Sequence, residues 1–156
     1  MRKRYLVILI VWFVFIFIMS NMKADSSSDL SGSFIDKFLN VFNITDGMDD
    51  SNKLILIENL QFLVRKTAHF TIYFITGILF SLFYKTFNYK LWKVFVLAVI
   101  SGGVCALIDE FHQLFIPGRT GKITDVLLDS SGVLFGCVIV LIVCKLINRY
   151  MCKNGH

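Results

Sequence analysis

The side chains in this sequence that can move protons, hold an anion or ligate a metal fall into three short stretches. The first is Arg65-Lys66-Thr67-Ala68-His69-Phe70-Thr71-Ile72-Tyr73, in which Arg65, His69 and Tyr73 recur every four residues. On a helix that spacing puts all three on one face. The second is Asp109-Glu110-Phe111-His112-Gln113, followed by the loop Ile116-Pro117-Gly118-Arg119-Thr120-Gly121. Asp109 and Gln113 share a helical face, Glu110 lies about 100° around the axis, and the Pro-Gly pair sets a tight turn that presents Arg119. The third opens with Asp125 and Asp129, four apart, and continues on the same side with Gly132 and Gly136, small residues that let another helix approach.

The chemistry open to these groups is of two kinds. Arg65, Lys66 and Arg119 can grip a phosphate or carboxylate, with Tyr73, Gln113 and Asp129 completing a binding surface. His69, Asp109, Glu110 and Asp125 can act as general acids or bases. His69, His112, Asp109, Glu110 and Asp125 are also able to ligate a divalent cation, but no H-E-x-x-H or comparable spacing joins them, so no metal site is expected and no cofactor is named. His112, offset from the Asp109 and Gln113 face, reads as an interfacial side chain. Ser130 and Ser131 lie near acids without a nucleophile elbow around them, which disfavours a Ser-His-Asp hydrolase.

The elements that must position these residues are membrane helices. The 156 residues are 56% apolar and only 17% charged, with a mean hydropathy of +0.69, too greasy for an ordinary soluble domain. The sequence predicts an all-α membrane protein, a single membrane domain with spans at 5–22, 67–84, 92–115 and 126–147 and a tail at 148–156, each span long enough for a hydrocarbon core of about 30 Å. The first span follows Arg2, Lys3 and Arg4 and has no A-x-A pattern after Ser20, so it reads as a retained signal anchor. Short connections at 85–91 and 116–124 make the last three spans an antiparallel set.

Between the first two spans, 23–64 is the one sizeable polar excursion. Its Ser-rich start, Asp25 to Ser28, reads as a flexible lead-in. Leu30, Phe34, Ile35, Phe38, Leu39 and Phe42 then recur at helical spacing, predicting an amphipathic helix lying on the membrane surface or on the bundle. A turn is expected over Asp46–Asn52 and a second apolar piece over Lys53–Val64. The Asn43-Ile44-Thr45 sequon is a chance-level match. Cys105, Cys137 and Cys144 sit in apolar runs and Cys152 in the basic tail, which argues against a disulfide framework.

The net charge of +5 does not mark a nucleic-acid protein, because the basic residues flank apolar runs and form no stripe with interleaved aromatics. They indicate topology instead. An N-in, C-in arrangement leaves Arg2, Lys3, Arg4, Lys85, Lys90, Lys93, Lys145, Arg149 and Lys153 on the cytoplasmic side, nine of the sixteen basic residues, close to span ends as the positive-inside rule requires. All acids then lie outside or at the outer edge, and 23–64 is extracytoplasmic. Three helix ends and one loop thereby converge at one membrane face. Two readings follow: an outward-facing polar pocket for an anion, or a non-catalytic scaffold whose buried ion pairs lock helix register. A transporter is disfavoured, since no broken-helix pair or inverted repeat is visible, although a homo-oligomer stays open.

Taken together, R-K-T-A-H-F at 65–70, D-E-F-H-Q-L-F-I-P-G-R at 109–119 and D-V-L-L-D-S-S-G at 125–132 resemble the VanZ-like family of bacterial membrane proteins, over about half the chain. The family's signature residues fall on Lys66, His69, Asp109, Glu110, Gln113, Arg119, Asp125 and Asp129. Two positions depart from it: Ile72 where an acid often precedes the tyrosine, and Asp129 where asparagine is frequent. The resemblance implies a multi-pass protein of the bacterial cytoplasmic membrane, associated with the cell envelope and with resistance to teicoplanin-type glycopeptides. The expected partner is a membrane lipid or lipid-linked cell-wall precursor, bound or modified at the pocket.

Overall fold

A computed structural model of the chain describes residues 2–21, 24–42, 48–119 and 121–154. Among the described residues the chain forms five helices: α1 (Arg2–Ser20), α2 (Ala24–Val41), α3 (Asp50–Lys85), α4 (Leu91–Gln113) and α5 (Ile123–Asn154). Four of them, α1, α3, α4 and α5, are long and apolar enough to cross a membrane, and the chain is an all-α, multi-pass membrane protein. Their outer surfaces expose Val11, Ile100, Val104, Ile108, Phe111 and Leu127. In water such a surface would aggregate; against acyl chains it needs no other cover.

Contacts between helices fix which ends lie together. Trp12 Nε1 donates to Thr76 Oγ1 at 2.9 Å, and Arg2 Nε reaches the Thr86 carbonyl at 3.5 Å. α1 therefore runs antiparallel to α3. Lys85 Nζ donates to Cys144 Sγ at 3.0 Å, bringing the C-terminal half of α5 to the same end as the N-terminus and the α3–α4 connection. At the opposite end, Phe17 packs on His112 with ring centroids 5.2 Å apart, and His112 Nε2 lies 3.3 Å from Asn21 Oδ1. His112 thus packs against the end of α1, away from Asp109 and Gln113. The core between the ends is built from Leu9, Tyr73, Phe80, Ala98, Ala106, Val133 and Cys137.

α3 is the longest element, 36 residues, or about 54 Å at 1.5 Å per residue. A bilayer core of about 30 Å takes up little more than half of that, so its first part projects beyond the span. Among the described residues α2 folds back along this projection and packs on α3. Its Ile35 and Leu39 are buried, Lys53 pairs with Asp36 at 3.7 Å, and Phe34, Phe38 and Phe42 remain exposed. The amphipathic helix expected from the sequence thus exists, seated on α3. Two expectations for this region are corrected. Asp25–Ser28 belong to α2, and serine and aspartate are residue types that suit the first turn of a helix. Asp50–Asn52, expected in a turn, open α3 instead: Asp49 is the extended N-cap and Asp50 places an acid in the first turn, where it favours the helix dipole. The expected turn's earlier part and the sequon Asn43-Ile44-Thr45 lie outside the described residues.

The bundle's closest approach is between α3 and α5. A Cβ on Gly132 would meet the Phe70 carbonyl oxygen at 2.6 Å, and one on Gly136 would fall against the Phe74 carbonyl and within 3.1 Å of the Ile78 nitrogen. Gly102 on α4 faces Val133 of α5, and the Ser101 hydroxyl bonds that of Tyr84 at 2.8 Å. The small residues of both spans therefore act as close-packing positions. The four cysteines are free thiols.

Candidate functional site

The end of the bundle away from the N-terminus gathers the polar side chains. α5 presents Asp125, Asp129, Gly132 and Gly136 to α3, as their spacing predicted. Asp125 pairs with Lys66, whose ammonium also lies 5.4 Å from the centre of the Phe62 ring. One turn deeper, Asp129 is fully buried with Oδ2 at 3.6 Å from His69 Nδ1. That distance is ionic contact, too long for a hydrogen bond. A further turn along α3, Tyr73 is 1% exposed and lies beside Asp109.

α4 contributes an arc. Asp109 is half-buried and accepts from Gln113 Nε2 at 3.4 Å, which bears out their common face. Glu110, about 100° away by helical geometry, is nonetheless the more buried of the two acids at 3% exposure. Its Oε2 accepts the backbone N–H of Lys122 at 3.0 Å, which ties the last turn of α4 to the start of α5.

The connecting loop is set by its Pro-Gly pair. Arg119 N–H donates to the Ile116 carbonyl at 3.1 Å and Gly118 has φ of 78°, the pattern of a type II turn with proline at its second position and glycine at its third. Arg119 follows it half-buried. Burial draws the guanidinium below its ordinary pKa, the charge of Asp109 draws it back up, Arg65 lowers it and Glu110 raises it. It stays cationic throughout. Arg65 itself is exposed, one turn outside His69. Thr120 lies outside the described residues.

The ten residues singled out from the sequence are thus split. His69, Tyr73, Asp109, Glu110, Gln113 and Asp129 lie inward, Lys66 and Asp125 form a flanking ion pair, and Arg119 and Arg65 sit progressively further out. Lys66 was expected to hold an anion; its charge is shared with Asp125. Sequence reasoning missed Lys122, Thr124, Phe62 and Leu128, which with Lys66 and Asp125 line an open groove of about 290 Å³. The signal was present in the spacing: Phe62 precedes Lys66 by four residues, and Leu128 follows Asp125 by three.

Among the described residues, one group of side chains has the geometry to hold a metal ion. His69, Glu110 and Asp129 each offer one donor atom, and these lie within 4.8 Å of one another. The sequence spacing concealed this set because its members come from three helices. Asp129 Oδ1 and Oδ2 and Glu110 Oε1 are buried without a hydrogen-bond partner.

No curated protein and no solved structure matches the chain. The family described as VanZ/LLP1 matches it over residues 5–144. That stretch includes the whole polar cluster and all four long helices except the outermost residues of α1 and α5, and on that coverage this chain belongs to the VanZ/LLP1 family.

Proposed function

We propose that the groove beside the cluster binds the anionic headgroup of a membrane lipid or lipid-linked cell-wall precursor at the outer leaflet of a bacterial cytoplasmic membrane. The observation that carries this reading is the lining of the groove. Lys122 offers a cationic donor beside the Lys66–Asp125 ion pair and Thr124 a hydroxyl, while Phe62 and Leu128 supply an apolar wall. A phosphate paired with an acyl or prenyl chain has that same division into charged head and apolar tail. Arg119 and Arg65 extend the positive edge toward the surface, and Asp125 positions Lys66. His69, Asp109 and Glu110 are the groups available to exchange protons if the bound precursor is modified.

This reading requires the N-in, C-in orientation, which the crowding of Arg2, Lys85, Lys90, Lys93, Lys145 and Arg149 at the other end of the bundle supports. Family membership supports a role in the cell envelope, with lowered susceptibility to teicoplanin as the downstream effect of masking or altering a wall precursor. The scaffold reading draws on the Lys66–Asp125 pair, which would also fix register, yet a purely locking network would not leave the carboxylate oxygens of Asp129 unbonded.

The test is binding in nanodiscs. Phosphatidylglycerol and undecaprenyl phosphate should co-purify with the wild-type chain over phosphatidylcholine. Replacing Lys122 and Arg119 together by glutamate should weaken that preference by about tenfold to a hundredfold, the loss of one or two charge-assisted contacts. The same variant, equally expressed, should lose any protection against teicoplanin. Unchanged lipid preference in a folded variant would remove the proposal.

A further inference from the structure

The geometry assigns a divalent-cation site to His69, Glu110 and Asp129, one ligand each from α3, α4 and α5. Their donor atoms lie within 4.8 Å of one another. Donors that share a cation at about 2.1 Å stand about 3 to 3.5 Å apart, so the triad has to close by no more than about 1.8 Å, within the reach of side-chain torsions.

An independent observation points to a ligand there. Asp129 has no exposed surface, and neither of its carboxylate oxygens has a hydrogen-bond partner; Glu110 is 3% exposed and its Oε1 is equally unbonded. Buried carboxylates in a membrane bundle are normally paired, bonded or bound to a metal. Among the described residues the cation-capable group that faces Asp129 is His69, at 3.6 Å, beyond hydrogen-bond length. Lys66 is engaged by Asp125 at the rim.

Charge and support both fit. Two carboxylates, a neutral imidazole and a divalent cation sum to zero, the state that costs least in a low-dielectric interior. The other oxygen of Glu110 is held by the Lys122 amide at 3.0 Å, the type of outer bond that orients a metal-ligating carboxylate. One nitrogen and two oxygens, with no thiolate in the set, suit a cation of the Mn²⁺ or Zn²⁺ class. Three protein ligands leave coordination positions for water or an oxyanion, and half-buried His69 marks the way in. The inference stands apart from lipid binding in the groove: Lys66, Lys122 and Thr124 belong to the groove, and none of them belongs to the triad.

The experiment uses the full chain, purified in detergent, stripped with chelator and titrated with Mn²⁺ under electron paramagnetic resonance. One Mn²⁺ should bind per chain, with electron spin-echo modulation from an imidazole nitrogen, and Zn²⁺ should displace it. Asp129→Asn and Glu110→Gln should each weaken binding by about tenfold to a hundredfold, and His69→Gln should abolish the nitrogen modulation. Asp50→Asn, at the exposed start of α3 far from the triad, should bind as the parent does. Circular dichroism identifies any variant that fails to fold, and Asp129→Asn, which removes a buried charge, should keep its helices. Absence of bound Mn²⁺ in the folded parent overturns the assignment, as does Mn²⁺ binding that persists unchanged through the three ligand substitutions.

Discussion

His69→Ala is expected to destabilise the metal-free chain by about 3–5 kcal/mol, the cost of stranding one member of a buried ionic contact. The partner left behind is Asp129, which has no exposed surface and faces the imidazole at 3.6 Å. If that stranded charge is the cause, removing it should restore stability. The double variant His69→Ala with Asp129→Asn should recover most of the loss, and Asp129→Asn alone should be neutral or stabilising. Unfolding curves in detergent, read by tryptophan fluorescence from Trp12 and Trp92, provide the measurement. A double variant as unstable as the sum of its parts would mean that the two side chains act independently.

Gly136→Leu should be comparably damaging for a steric reason, at about 3 kcal/mol, the upper end of the usual cost of overpacking. Its Cβ would fall against the Phe74 carbonyl and within 3.1 Å of the Ile78 nitrogen, both backbone atoms of α3. Backbone cannot turn aside as a side chain can, so α3 and α5 would have to separate, and the helices that bring His69 to Asp129 would part with them. Gly103 is the matched control. A Cβ there meets only Ser130 Oγ at 3.9 Å, ordinary contact, and the gain in helix propensity should make Gly103→Ala neutral or stabilising by about 0.5–1 kcal/mol. The same unfolding assay distinguishes the two glycines.

Those contrasts also mark what could be read in the sequence and what could not. The spans were legible because hydrocarbon imposes a length and a polarity that few other environments do. The inner face of α5 was legible because Asp125, Asp129, Gly132 and Gly136 recur at helical spacing along one side of a largely apolar stretch. α1 offered no such mark: it is apolar all round, and nothing in its sequence says that Leu9, Ile16 and Trp12 face the bundle. A membrane helix has no solvent face to betray its packing face.

The continuity of α3 was hidden for a different reason. Asp46 to Asn52 has the composition of a turn, yet Asp49 and Asp50 are equally good residues for starting a helix. The expected turn therefore ran three residues into the helix, and the apolar piece over Lys53–Val64 was set apart from the span at 67–84 although one helix runs through both. In the cluster, helical spacing correctly joined Asp109 to Gln113 and Arg65 to His69. It could not foresee that Glu110 would be the more buried acid of α4, because that depends on the Lys122 amide twelve residues away. Nor could it assemble His69, Glu110 and Asp129, whose proximity exists only once three helices have docked.

Headgroup binding at the outer leaflet requires the cluster end of the bundle to face away from the cytoplasm. Single cysteines in place of Arg119, Lys122, Asn88 and Arg149, in a chain otherwise lacking cysteine, can be exposed to a membrane-impermeant maleimide in intact cells. Labelling at 119 and 122 without permeabilisation, and at 88 and 149 only after it, is the expected result. Labelling of 88 and 149 in intact cells, with 119 and 122 protected until the membrane is opened, would turn the groove toward the cytoplasm and contradict its proposed role at the outer leaflet.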